Sequence, residues 1–255
     1  MTTTTFEALA NTPNLTATST FADYPVWTHT LALPPQMLMG STGTYDLAPF
    51  LLVGHAWAQF VSYFLAPDSR VLDIGCGCGK TARHLVNDRG VARYVGFDVL
   101  KLSIDWSNRF LTPASQGRFE FHHANLSNEM YNPHGAFPAS EYRFPVADAT
   151  VDVAFAASLF THLLEADCRH YLRETARVLK PGGLAIISLH IEPAAGLRYS
   201  GSEARIDVDV DYFVGLAVEA GLNLKERPGD LCGQEMLVFA RTADDKRLTF
   251  QNPSV

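Results

Sequence analysis

Between Arg70 and Ile191 the chain alternates short apolar runs with amphipathic segments, and that alternation limits its fold more than any other feature. The runs "RVLDI", "ARYVGFD", "RFEFHHA", "VDVAFAAS" and "GLAIISLHI" are rich in β-branched and aromatic residues; "KTARHLVNDRG", "LKLSIDWSNRFL" and "ADCRHYLRETARVLK" lie among them with helical periodicity. Strand-helix-strand repetition builds a parallel sheet by right-handed crossovers, with helices on both faces: an α/β fold. Upstream, "LAPFLLVGHAWAQFVSYFL" reads as a helix that ends before Pro67. Downstream, "DYFVGLAVEAGL" reads as a helix, followed by "NLKERPG" and "QEMLVFAR" across the turn-prone "GDLCG". Those two runs are close enough to pair as an antiparallel hairpin.

With 47% hydrophobic residues in a chain of 255, the sequence can bury a sizeable core. The organisation expected is a loosely ordered tail over residues 1–20, then a single domain over 21–255. That domain carries an N-terminal flap at 21–48, with a short helix after "LPPQ", and an insertion at 126–145. A formal net charge of −7 argues against a broad electrostatic grip on nucleic acid. The N-terminus has neither the basic nor the apolar region of a secretory signal, and no apolar run reaches membrane-spanning length, so neither export nor a membrane partner is expected. Cys76, Cys78, Cys168 and Cys232 fit neither a disulfide framework nor zinc-ligand spacing. The simplest home is a reducing cytoplasm.

The stretch "VLDIGCGCGKT", Val71 to Thr81, packs three glycines behind the first strand. A phosphate-binding P-loop would need glycine where Ile74 stands, and a dinucleotide turn would need glycine where Lys80 stands. What remains is Asp73, Gly75, Gly77 and Gly79 at alternate positions. A carboxylate at Asp73 would repel a pyrophosphate but suits the ammonium of an amino acid. Glycines let backbone approach a ligand without a Cβ. Asp98, ending the second strand, can accept two hydrogen bonds from a ribose diol. Asp73 and Asp98 together describe an amino acid joined to a ribose.

Through "VLDIGCGCGK", "YVGFDV", "FPVADATVDVAFAASLFTHL" and "ARVLKPGGLAIIS", the sequence resembles the class I S-adenosylmethionine-dependent methyltransferases, over roughly Arg70 to Ser188. The resemblance implies a Rossmann-like, seven-stranded, mostly parallel sheet with an antiparallel last strand, and S-adenosylmethionine over the carboxyl ends of the first strands. It implies cofactor contacts from Asp73, Gly75, Cys76, Gly77, Gly79, Asp98, Val99, Leu126 and Ser158. Where the family usually has an aspartate near the adenine amino group, this chain has Asn125, whose amide oxygen can still accept.

The reaction expected is methyl transfer to an oxygen or nitrogen of a small-molecule acceptor, one of secondary metabolism, with no metal implied. His162 follows the fourth strand, where an open α/β sheet presents its crevice, and is the candidate base. His190 has a similar claim at the end of the fifth strand, and Tyr24, Trp27, Tyr45 and Tyr199 lie in segments expected to roof the pocket. His122 and His123 face opposite sides of one strand and read as structural. A non-catalytic cofactor-binding module and an NAD-dependent oxidoreductase are the alternatives.

Overall fold

The computed structural model describes residues 31–242 and the two-residue strand Thr18–Ser19. Its centre is a sheet of seven strands: β1 (Ser69–Ile74), β2 (Val91–Asp98), β3 (Phe119–His123), β4 (Val151–Ala156), β5 (Leu179–Leu189), β6 (Leu222–Leu231) and β7 (Gln234–Arg241). Their order is β6-β7-β5-β4-β1-β2-β3. Neighbours among β1 to β5 pair in parallel, and β7 runs antiparallel to both β5 and β6. The chain builds outward from β1 through β2 to β3, then returns to lay β4 on the other side of β1. Such a reversal opens a crevice at the carboxyl ends of the strands beside it.

Among the described residues six helices accompany the sheet: α1 (Gln36–Gly40), α2 (Leu47–Tyr63), α3 (Ala82–Leu85), α4 (Lys101–Ala114), α5 (Glu165–Val178) and α6 (Val210–Glu219). Side chains alternate across a strand, and here both faces are apolar, as a sheet covered on both sides requires. On one face Val71, Tyr94, Phe119, Val153 and Phe155 pack with Phe50, Trp57 and Ile104 of α2 and α4. On the other, Leu72, Val95, Phe97 and Ala154 pack with Tyr171, Leu172 and Phe213 of α5 and α6. Burying each large apolar side chain contributes about 1.5–3 kcal/mol before entropy is counted.

The helix expected from "KTARHLVNDRG" shrinks to the single turn α3. Gly77 and Gly79 have left-handed φ of 51° and 75°, so no helix starts before them, and Asp88 closes a turn by accepting the amide of Gly90. Two segments outside the sheet matter for the site. Residues 126–145 fold back so that Leu126–Ser127 pairs with Phe137–Pro138. Tyr199–Ser202 pairs with Arg205–Val208 in a hairpin that has no counterpart in the sequence reading. The pairing needs glycine at Gly201, with φ 119°, because a Cβ there would run into the Arg205 carbonyl. Among the described residues no helix is long and apolar enough to cross a membrane.

Candidate active site

At the carboxyl ends of β1, β2 and β4 lies a cavity of about 460 Å³. The glycine loop forms its floor. Gly75 and Cys76 both donate their amides to the Phe97 carbonyl at 3.0 Å, tying the loop to the end of β2. Asp98 completes the tie: its carboxylate accepts the amides of Gly77 and Leu100, each at 2.8 Å. A Cβ on Gly77 would stand 2.7 Å from the Thr42 side chain.

Three ionisable groups meet on this floor. Asp73 is 2% exposed, accepts a hydrogen bond from the Tyr94 hydroxyl, and is pushed up to about 7 by burial. Burial raises Asp98 as well, against the amides that favour its charged form. Lys80 donates from Nζ to the Thr42 carbonyl at 2.7 Å, and burial pushes it down to about 8. Two buried carboxylates beside one ammonium form a set deficient in positive charge. Backbone stripped of Cβ atoms lies next to them. The residues present therefore fit a ligand with a cationic amine, hydroxyls to donate and a carboxylate to receive.

The opposite wall begins at Ser158, whose φ of 59° is uncommon for a residue with a side chain. It is held by its amide to Ser188 Oγ and by its hydroxyl to Gln234 Oε1, both at 2.9 Å. The turn Phe160–His162 follows and carries His162 to the cavity wall. His162 Nδ1 lies 2.8 Å from the Glu203 carbonyl, and Nε2 lies 3.5 Å from the Tyr131 hydroxyl. A carbonyl oxygen only accepts, so Nδ1 carries the proton of the neutral ring and Nε2 keeps its lone pair.

Asp73, Gly75, Cys76, Gly77, Asp98, Val99, Leu126, Ser158 and His162 all line this one cavity. Five other candidates stand outside its lining. Gly79 turns its α-carbon to α4, where a Cβ would run into Leu111, so it serves packing. Asn125 is exposed and takes part in folding the insertion: its carbonyl accepts the amides of Ala136 and Phe137, and its Oδ1 accepts from Asn132. Tyr45 is 67% exposed, its ring against Gly40. His190 is bridged to the hairpin, its carbonyl accepting the Val208 amide. Tyr199 spends its hydroxyl on the Leu163 carbonyl at 2.6 Å. Tyr24 and Trp27 lie outside the described residues.

The cavity also recruits Lys80, Thr42, Tyr131, Glu203 and Gln234, none of which the sequence reading placed there. Lys80 was legible as an unusual residue in a glycine loop but only as evidence against a dinucleotide. Tyr131 and Glu203 sit in segments with no periodicity to signal their direction.

A methyltransferase domain model matches residues 72–187. Among curated proteins, the O-methyltransferase resE of Aspergillus sclerotiorum is 33% identical over 124 residues, 48% of this chain and 40% of its own. The 27-O-demethylrifamycin SV methyltransferase of Amycolatopsis mediterranei is 29% identical over 164 residues, 64% of this chain and 52% of its own. This chain thus spans about half the length of these relatives. Among solved structures, the 1,6-didemethyltoxoflavin-N1-methyltransferase of Burkholderia thailandensis, with S-adenosylhomocysteine bound, superposes with a TM-score of 0.56 at 18% identity, covering 86% of this chain and 98% of its own. That likeness is one of fold. The domain match begins inside β1 and ends inside β5, so it spans the glycine loop and the β4 edge that border the cavity, and over that span the chain is similar to methyltransferase domains.

Proposed function

We propose that this protein transfers a methyl group from S-adenosylmethionine to a hydroxyl of a small organic acceptor, with His162 as the general base. The observation that carries the reading is the hydrogen bond from His162 Nδ1–H to the Glu203 carbonyl, which leaves a basic nitrogen on the cavity wall. S-adenosylmethionine, when bound, supplies an electrophilic methyl on a positively charged sulfur that departs as a neutral thioether. The chain's residues do the rest. Asp73 holds the ammonium, Lys80 the carboxylate, and Asp98 the ribose hydroxyls through the lone pairs that the loop amides leave free. Val99 and Leu126 flank the adenine, and Ser158 sets the start of the β4 edge. His162 Nε2 takes the acceptor proton as its oxygen attacks, so the rest of the barrier is met by positioning.

A hydroxyl suits this arrangement better than an amine, because a neutral amine is nucleophilic without a base. The curated relative named an O-methyltransferase supports the same choice, and the N1-methyltransferase neighbour supports the fold alone. The net charge of −7 favours a small molecule over nucleic acid, and four free thiols, three of them buried, suit a reducing cytoplasm.

The test is calorimetry with S-adenosylhomocysteine and with NAD, followed by a screen of hydroxylated metabolites for a mass gain of one methyl. Tighter binding of NAD would sink the reading. Cofactor binding without turnover on any acceptor would leave a non-catalytic binding module.

Two further outcomes follow from the carboxylates. Asp73 is largely protonated below pH about 7 in the free protein, and an ammonium favours its ionised form. Cofactor binding should therefore release a proton and weaken as pH falls through 7. Calorimetry at one pH in buffers of different ionisation enthalpy measures that release, and its absence would separate Asp73 from the ammonium. Asp98→Ala should weaken cofactor binding by about 1–3 kcal/mol. It should also lower the melting temperature, since the amides of Gly77 and Leu100 lose their acceptor. A folded variant with unchanged affinity would remove Asp98 from the ribose.

A further inference from the structure

The roof beside His162 is built from two segments far apart in sequence, the insertion at 126–145 and the hairpin Tyr199–Val208. They meet at Glu203, in the hairpin turn. Its Oε2 accepts the backbone amide of Glu129, while its own carbonyl accepts Nδ1–H of His162 at 2.8 Å. Two residues beyond Glu129, Tyr131 presents its hydroxyl to Nε2 of the same imidazole and sets its ring edge-on to it, centroids 5.4 Å apart at 90°. One glutamate thus fastens the insertion with its side chain and the histidine with its backbone.

We propose that Glu203 is a positioning residue that locks His162 as the Nδ1–H tautomer and so keeps the Nε2 lone pair presented to the acceptor; this rests on the reading of His162 as the base. The physical reason lies in the hairpin turn. Its neighbours Ser202, Ala204 and Arg205 are exposed, and the hairpin's buried apolar anchors, Ile206 and Val208, lie on its second strand beyond the turn. Within the turn, the charge-assisted bond from the Glu129 amide fixes the Glu203 carbonyl. Released from it, the turn can swing its carbonyl away, and the imidazole is free to carry its proton on either nitrogen. A ring with the proton on Nε2 has no lone pair to offer there.

The other charged or titratable groups around this ring are His190 on the edge of β5, Tyr131, and the Arg205–Asp207 ion pair of the hairpin. Glu203→Ala and Glu203→Gln leave all of these in place. The imidazoles are neutral at alkaline pH, so nitrogen shifts read there report tautomer rather than charge.

The experiment is ¹⁵N NMR of the full chain labelled at histidine, with the His162 signals assigned by their loss in His162→Asn, alongside steady-state kinetics on the acceptor found by the screen. Wild type should show one Nδ1–H tautomer at position 162. Glu203→Ala should show exchange between both tautomers and a fall in kcat of about 2–10-fold at unchanged cofactor affinity, in proportion to the share of rings that lose the Nε2 lone pair. Glu203→Gln, whose amide oxygen accepts the same Glu129 amide, should restore the single tautomer and most of the turnover. Glu129→Pro deletes the donor from the other side and should reproduce the alanine variant, which keeps the test decisive if Glu203→Ala does not fold. A single Nδ1–H tautomer persisting in Glu203→Ala or in Glu129→Pro overturns the proposal. Mixed tautomers with undiminished turnover would uphold the clamp and overturn instead the assignment of His162 as the base.

Discussion

Alanine at position 162 is expected to lower turnover by about 10²–10⁴-fold on a hydroxyl acceptor while leaving cofactor affinity nearly unchanged. An alcohol oxygen is a poor nucleophile until its proton departs, and His162 is the one histidine among the described residues on the cavity lining, its Nε2 beside the Tyr131 hydroxyl and its Nδ1 committed to the Glu203 carbonyl. The cofactor should not notice the loss, because the charged groups assigned to it, Asp73, Lys80 and Asp98, belong to β1, the glycine loop and β2 on the cavity floor. Alanine also strips the Glu203 carbonyl of its donor, so a second variant is needed to separate lost chemistry from a disturbed roof. His162→Asn serves, since an amide nitrogen can donate to the same carbonyl without offering a base. If the base reading is right, both variants fall together. Near-wild-type turnover in either one would leave His162 a structural residue.

Valine at position 77 is expected to abolish detectable cofactor binding. Gly77 adopts φ 51°, a conformation that a β-branched residue adopts only with strain. Its Cβ would stand 2.7 Å from the Thr42 side chain, which belongs to the same turn whose carbonyl anchors Lys80. Valine therefore presses on the flap, disturbs the amide that Asp98 accepts, and fills space at the cavity floor. Gly77→Ala is the milder companion: it carries the left-handed penalty of about 1–2 kcal/mol but less bulk, and should weaken binding without eliminating it. Calorimetry with S-adenosylhomocysteine on folded protein distinguishes the two. Normal affinity in Gly77→Val would mean that the cofactor does not lie against this loop.

The contrast between Gly77 and Gly79 shows how far spacing alone carries. Both are glycines of one motif with left-handed φ, yet Gly77 borders the cavity and Gly79 packs on α4 against Leu111. A motif records that backbone must turn here; it does not record which face of each turn meets ligand and which meets protein. Asn125 teaches the same lesson. Its side chain looked free to approach an adenine, but the insertion folds back onto it and takes both its carbonyl and its amide oxygen.

What the sequence by itself determined is the frame. Period-two runs that are apolar on both faces, separated by amphipathic segments, specify covered parallel strands, and a glycine loop behind the first of them specifies close backbone approach at the carboxyl edge. Asp73 and Asp98 were legible because they lie at the carboxyl ends of β1 and β2, where the fold leaves little choice of direction. What only the tertiary structure decided is the company His162 keeps. Tyr131 and Glu203 stand 31 and 41 residues from it along the chain, in an insertion and a hairpin whose composition carries no period. Local patterns state which face of an element is apolar. Contacts between two irregular segments depend on where their ends are pinned, and here the pins that meet at Glu203 are hydrogen bonds, from the Glu129 amide to its carboxylate and from His162 to its carbonyl, that exist only once the sheet has brought both segments to one edge.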